Sequence, residues 1–565
     1  MFVVFEGIDG SGKTTISNQV ATRLRARGLT VEHLREGGKF ASQVTQGIRE
    51  FGRDVRNWEL DPHAEFFLYV TRDVQLLEEK TRPALGTADL VIADRFLYSA
   101  QVLAQFGRGL PESWLLPVLD AAAREVVPDL VVLVDVDPQL ARGRRRVAKV
   151  LSADKRPPSR KGLGGAGLQT RFRAGYLELA RKDPERWLIV ENGGDLPATI
   201  DRVTELLATA VAEGPKAALA LYRRQQVKVP VAAPIASVAE AATGFFALLD
   251  RKMASEPSTV AHLLGGLWGP GVDERRLQLA ETAPEMVLFG LGALADEVSF
   301  ELRERLVAAF PERVARSLGG QARPHPRAAA LRQRLTSEVP EAVLASLSGD
   351  PGDEAWALRD RLLATRPDVV LPSLARLGDE RAWQLRRTFV ERIGGLPALA
   401  IYEHARALGR SLGGLDDDEA WQLRKAIVEA APTVALASVK YVLSMRAWKW
   451  RARYLERAPK IVFETLARVD DPRAWPMRRK KAPLVKEAID SINGLAGDEA
   501  WSLREDFADV WPSTVVKTLA GLARTPRGQA LVTRQLARHP RNLSLLKHAT
   551  AIALGVEAGA DPDAE

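Results

Sequence analysis

Up to about Glu213 the chain alternates short, wholly apolar runs with longer segments whose apolar residues recur every three or four positions. The apolar runs predict strands at Phe2–Glu6, Thr30–Leu34, Leu90–Ala93, Leu130–Asp135 and Trp187–Glu191. Between them lie amphipathic helices, including one over Ala64–Leu85 with Phe67, Val70, Val74 and Leu77 along one face. Apolar strands separated by helices mean βαβ units, and hence a parallel five-stranded sheet covered on both sides. After Gly214 the strand pattern stops, PVAAPIASVAEA (230–241) reads as a linker, and everything beyond is helical. The expected division is an α/β domain over 1–213, a linker over 214–241, an all-α solenoid over 242–555 and an acidic tail over 556–565.

The helical half carries an internal repeat around the phrase acid–Glu–x–Ala–Trp–x–Leu–Arg. It occurs at 353–359, 379–386, 418–424, 472–478 and 498–504, with MRAWKWR (445–451) as a looser copy. The tryptophans are Trp356, Trp383, Trp421, Trp448, Trp475 and Trp501; Phe300, Ala329 and Leu277 take that position in weaker copies upstream. Most copies are followed by a proline, at Pro311, Pro340, Pro367, Pro432, Pro459 and Pro512. Proline suits a first helical turn, where its missing N–H costs nothing. Each unit is therefore a short helix, a proline-started second helix and a turn. One such pair cannot bury its apolar face alone, so the copies must stack. The pattern resembles HEAT-like repeats with a shortened unit, and the tryptophan column is most simply the packing between repeats.

With 565 residues, 46% of them apolar and 27% charged, the chain has the composition of a globular protein. It has no cysteine, which excludes disulfides, thiol catalysis and iron–sulfur clusters, and its seven histidines are too scattered for a metal site. No apolar run approaches the ~18 residues of a membrane span. The opening MFVVFEGIDG reads as a strand and not a signal peptide, so a cytoplasmic location is expected. Of the net charge of +8, only +1 falls within 1–213. The remaining excess is mild over so long a segment: it permits an acidic partner without demanding one.

The chemistry concentrates between the first strand and first helix. There Gly7-Ile-Asp9-Gly10-Ser11-Gly12-Lys13-Thr14-Thr15 matches G-x-x-x-x-G-K-[ST]. Glycines let backbone N–H groups close around phosphate oxygens, and the helix adds its positive N-terminal end. Lys13 reaches the β- and γ-phosphates and the Thr14 hydroxyl ligates Mg²⁺. The segment binds a nucleoside triphosphate, with ATP and Mg²⁺ expected. After the fourth strand comes a basic run that includes Arg142, Arg145, Arg146 and Lys149 on one helix face, followed by Arg160.

FEGIDGSGKTT, followed by LREGGKF…IRE (34–50), AEFFLYVTRDVQLLEEKTRPAL (64–85), VIADRFLYSAQVLAQFGRGL (91–110) and YLELARKDPERWLIVE (176–191), resembles the thymidylate kinase family over about 210 residues. The resemblance implies phosphoryl transfer from ATP to a deoxynucleoside monophosphate, dTMP foremost. It implies that Asp9 bonds the acceptor sugar, that Arg72 and Arg95 hold the acceptor phosphate with Arg35 and Arg49 in support, and that Asp94 orients Mg²⁺. It places Arg146 and Arg160 in a lid as suppliers of transition-state charge, and it allows a homodimer through the first domain.

Three positions depart from the family's base pocket. Leu68, beside Phe67, stands where a stacking phenylalanine is usual; Ala100, after the matched Ser99, stands for Asn or Thr; Leu103 replaces a tyrosine. Fewer hydrogen-bonding side chains mean weaker discrimination among acceptors. A nucleotide-sensing module with weak or no kinase activity, driving a protein-binding solenoid, is the alternative. A nucleic-acid partner ranks below that, and no membrane partner is expected.

Overall fold

The structure is a computed structural model. It describes residues 1–35, 42–152, 160, 165, 167–225, 233–292 and 294–556. The chain divides into two compact units, one of Met1–Arg146 with Arg156–Ala232 and the other of Val147–Lys155 with Ala233–Glu565.

In the first unit, strands β1 (Phe2–Glu6), β2 (Val31–His33), β3 (Leu90–Asp94), β4 (Leu130–Asp135) and β5 (Trp187–Glu191) form one parallel sheet in the order β2-β3-β1-β4-β5. β1 lies in the centre, so the loop leaving its end opens at the crevice between β3 and β4. Helix α1 (Lys13–Ala26) packs one face through Ile16, Val20 and Leu24. α2 (Gln43–Arg53), α3 (Pro62–Leu76), α4 (Arg82–Leu85), α5 (Leu97–Val102), α6 (Glu112–Ala123), α7 (Pro138–Leu151), α8 (Gly167–Lys182) and α9 (Leu196–Glu213) complete the unit.

Two expectations need correction. The predicted 64–85 helix is α3 continued through a π-turn, Leu77–Thr81, into α4. Its buried face runs through Phe66, Val70 and Leu77, while Phe67 is 47% exposed. Nor does the first domain end at 213. A further helix, α10 (Pro215–Gln225), buries Ala218, Leu219 and Tyr222 in the same core. The Tyr222 hydroxyl accepts from the Ile189 N–H at 3.0 Å and donates to the Ile189 carbonyl at 3.1 Å. Ile189 lies on β5, an edge strand whose backbone groups would otherwise stay open. Of the expected linker, 226–232 lie outside the described residues, as do 557–565 of the expected tail. Val556 itself is buried.

The second unit is helical throughout its described residues, from α11 (Val238–Met253) to α32 (Leu543–Ala553). Pro311, Pro340, Pro367, Pro432, Pro459 and Pro512 each open a second helix. The six tryptophans are buried as expected. Leu277 is 39% exposed and does not belong to that column: the repeat's arginine is Arg276, which puts Asp273 in the tryptophan position.

The arginine closing each phrase is the central packing residue. Arg303, Arg359, Arg386, Arg424, Arg451, Arg478 and Arg504 are fully buried. Arg424 is representative. Its Nε donates to Ser438 Oγ at 2.9 Å, and its Nη2 donates to the carbonyls of Leu412, Leu415 and Ser438. The Leu412 and Ser438 carbonyls lie at the C-caps of the helices Tyr402–Ser411 and Pro432–Ala437, where carbonyls lack an i+4 partner, and the Leu415 carbonyl lies in the turn after the first. The guanidinium lies 4.8 Å over the Trp421 ring. Burial lowers its pKa to about 10, since carbonyl dipoles and not a bonded carboxylate compensate the charge.

Successive second helices pack in a row, and the row ends where it began. α32 packs on α11, which packs on the first proline-started helix, Pro257–Leu263. Lys547 Nζ donates to the Gly265 carbonyl at 2.9 Å. The array closes on itself. No helix among the described residues is long and apolar enough to cross a membrane.

Candidate active site

The loop Gly7–Gly12 is shaped by positions that only glycine fits. Gly10 and Gly12 have φ of 90° and 91°. A Cβ on Gly7 would meet the Val134 carbonyl oxygen at 2.5 Å, and one on Gly10 would meet the Ala141 carbonyl oxygen at 2.4 Å. Lys13 Nζ donates to the Ile8 carbonyl at 3.3 Å, folding back over the loop.

Asp94, at the end of β3, accepts from Thr14 Oγ1 at 2.6 Å and from Arg35 Nη1 at 3.4 Å, both on Oδ2. Burial alone would raise its pKa, but Lys13, Arg35 and Arg95 outweigh burial and hold the carboxyl below its ordinary value. Its Oδ1 is buried with no hydrogen-bond partner among the described residues. A hydroxyl, an ionised carboxylate and an unused buried oxygen beside a phosphate loop fit a hard divalent cation such as Mg²⁺.

Next to the loop lies a cavity of about 210 Å³. Its wall holds Lys13, Arg35, Arg49, Arg53, Arg72 and Arg95, against Asp9 as the acidic residue. The crowding has an electrostatic signature: burial, then Arg53, Arg35 and Arg72, lower the Arg49 pKa to about 10. Asp94, Asp73 and Asp9 pair with Arg35, Arg72 and Arg95, yet the wall still carries more cations than acids, a field that favours an anion.

Arg95 sits at φ 83°, a left-handed conformation rare for arginine. It is held there by Asp9 Oδ1 at 2.6 Å, Ser99 Oγ at 2.9 Å and Tyr176 Oη at 3.0 Å. Beneath it Glu6 is fully buried; it accepts from Ser99 Oγ at 2.7 Å and from the Phe96 N–H at 3.1 Å. Burial raises the Glu6 pKa, against the opposing pull of Arg95.

The structure therefore brings Asp9, Lys13, Thr14, Arg35, Arg49, Arg72, Asp94, Arg95, Ser99, Leu68 and Leu103 together. Ser11 is buried beside them, Thr15 is exposed and does not line the cavity, and Ala100 is buried in the core behind the wall. Phe67 packs on Phe66 and Trp114 and does not line the cavity.

The aromatic surfaces are Tyr69, Phe172 and Tyr176, which sequence reasoning passed over together with Arg53. Tyr69 could have been found, because it stands three residues before Arg72 on one helix face. Their stacking is direct, with the guanidinium 4.7 Å from the ring centroid.

The lid arginines divide. Arg160 is paired with Glu65 and donates to the Leu60 carbonyl at 2.5 Å, at the start of α3. Arg145 is the α7 arginine whose side chain comes closest to the phosphate loop by the Gly10 measure: its Cγ lies 3.0 Å from a Cβ built there. Arg146 lies next to it in the chain, and of the expected lid 153–159, 161–164 and 166 lie outside the described residues.

The family model for thymidylate kinase matches residues 5–196. The thymidylate kinase of Solidesulfovibrio magneticus is 35% identical over 192 residues, covering 34% of this chain and 90% of that protein. That of Oleidesulfovibrio alaskensis is 33% identical over 213 residues, covering 38% of this chain and 98% of that protein. That of Caldanaerobacter subterraneus is 35% identical over 192 residues, covering 34% and 86%.

Proposed function

Through its first unit the chain belongs to the thymidylate kinase family and is a nucleoside monophosphate kinase, and we propose that it transfers the γ-phosphoryl group of ATP to dTMP. The observation that carries this reading is the ring of six cations around one small cavity beside a phosphate loop. Two polyanions must be brought together, and phosphoryl transfer needs little beyond positioning and charge neutralisation.

In this reading the acceptor phosphate lies against Arg72 and Arg95, with Arg35 behind. Asp9, fixed by Arg95 and by its own backbone N–H to Gln169 Oε1 at 3.0 Å, takes the sugar hydroxyl. The base enters between Tyr69, Phe172 and the apolar pair Leu68 and Leu103. An acceptor phosphate oxygen then attacks the γ-phosphorus, the bond to the β,γ-bridging oxygen breaks, and ADP leaves. Lys13 and an α7 arginine face the charge that shifts toward the bridging oxygen. Thr14 and Asp94 would hold Mg²⁺, which neutralises the β- and γ-phosphates when bound.

The test is ADP release by the full chain with dTMP. Lys13→Ala should lower turnover by at least ~10²-fold, the loss expected for a preorganised charge at the transferred group. Equal turnover of the two proteins would end this reading.

A further inference from the structure

The turn after each second helix places one residue in the left-handed region. At Gly320, Gly349, Gly414, Gly494 and Gly521 that residue is glycine, with φ between 57° and 80°. At Arg376, Tyr441 and Arg468 it is not, although φ is 68°, 69° and 61°. The backbone role is shared by both kinds: the N–H of Gly349 donates to the Ser373 carbonyl at 2.8 Å, and that of Arg468 to the Ser491 carbonyl at 2.8 Å. Glycine would serve that role without strain. The three bulky side chains are exposed and add nothing to the core, with Tyr441 61% exposed.

Their positions are related: the second helices that lead into the Tyr441 and Arg468 turns, Pro432–Ala437 and Pro459–Thr465, pack on each other. Arg376 crosses Gly414, where a Cβ would lie 3.1 Å from its Cγ, and its guanidinium reaches the Tyr441 ring at 5.8 Å. Lys440 Nζ lies 5.2 Å from the same ring. Asp416 accepts from Trp421 Nε1 and Ser444 Oγ, and Glu464 pairs with Lys460 while also lying within electrostatic reach of Lys440.

We propose that Arg376, Lys440, Tyr441 and Arg468 form a second site, separate from the kinase cavity, that binds a nucleoside phosphate. The base would stack on Tyr441 and the phosphates would lie against Arg376, Lys440 and Arg468. An exposed ring flanked by two cations suits a ligand that is both flat and anionic. That chemistry is shared by a free nucleotide and by one unit of a single-stranded nucleic acid.

The test uses the full chain and the triple variant Arg376→Gly, Tyr441→Gly, Arg468→Gly, which keeps every backbone hydrogen bond of the turns. Fluorescence anisotropy with labelled oligo-dT, and calorimetric titration with dTMP, distinguish the two sources. Oligo-dT binding weakened at least about tenfold in the variant supports the polymer source. Two dTMP sites in wild type and one in the variant support the free nucleotide. In either case the variant's melting temperature holds or rises and its dTMP kinase turnover stays at the wild-type level. Titrations that do not separate the variant from wild type, or a variant that melts lower, would overturn the proposal. A lower melting point would mean that the residues serve the fold. Loss of turnover in wild type itself would count against the kinase assignment and leave this site standing.

Discussion

Both units gather arginines, and the two sets are partnered differently. In the second unit the buried guanidinia are held by neutral acceptors: Arg424 serves a hydroxyl and three carbonyls, with an indole beneath it, while its Nη1 has no hydrogen-bond partner among the described residues. In the first unit Arg35, Arg49, Arg53, Arg72 and Arg95 line one void, where Arg35, Arg72 and Arg95 are paired with Asp94, Asp73 and Asp9. One set is held by neutral acceptors inside the packing; the other is held by carboxylates around a void with more cations than acids on its wall. An arginine's surroundings, and not its burial, therefore separate a structural role from a binding one. Carbonyls at helix C-termini neutralise a cation locally, whereas like charges around a cavity raise its appetite for phosphate.

The comparison can be broken first in the second unit. Arg424→Ala should cost about 3–5 kcal/mol, because it leaves buried carbonyls unpaired. Trp421→Ala should cost a similar amount through its cavity. The two stack, so a double-mutant cycle should return a coupling of about 0.5–3 kcal/mol. Urea unfolding of the full chain reads all three, while dTMP turnover at low temperature should stay at the wild-type level.

In the first unit the balance reverses. Arg95→Ala should lower kcat/KM for dTMP by about 10²–10³-fold, some 2.7–4 kcal/mol of transition-state stabilisation. Its melting temperature should fall less than that of Arg424→Ala, since Glu6, already raised in pKa by burial, can take up a proton when Arg95 is gone. Steady-state kinetics alongside calorimetry would show the two effects separately.

Ending the first unit at Glu213 should destabilise it by about 3 kcal/mol relative to an end at Gln225. That truncation strips Leu219 and Tyr222 from the core and opens the β5 edge. Thermal melts of the two fragments make the comparison.

The smallest effect is on pH. Asp94 has a depressed folded pKa. Its contribution is therefore fully present above the unfolded value of about 3.9 and is lost as pH falls through the lower folded value. Asp94→Asn should flatten that part of the acid limb in pH-dependent melts and leave the neutral range parallel to wild type.

The phosphate loop was legible in the sequence because its chemistry is local: glycines, Lys13 and Thr14 must be neighbours in the chain. The tryptophan column was legible by its period. The arginine ladder was not read, although it recurs with the same period, because a charged residue is expected at the surface. Phe67 was placed one residue out of frame; the buried stripe of α3 runs through Phe66, and adjacent phenylalanines make the two faces indistinguishable by periodicity. Arg53, Phe172 and Tyr176 come from α2 and α8, far apart in sequence, and meet only in three dimensions. Closure of the helical array depends on a small rotation summed over every repeat, for which no single segment carries a signal.

The account rests on acceptor choice, which one panel would decide. The full chain should be assayed for ADP release with dTMP, dUMP, UMP, dGMP and dAMP under identical ATP and Mg²⁺. The cavity predicts the highest kcat/KM for dTMP. It also predicts dUMP as the next best acceptor, lower by about 10–200-fold, because dUMP lacks only the C5 methyl and one missing methyl in an apolar pocket costs about 1–3 kcal/mol. A purine monophosphate turning over faster than dTMP, or no turnover with any of the five, would contradict the account.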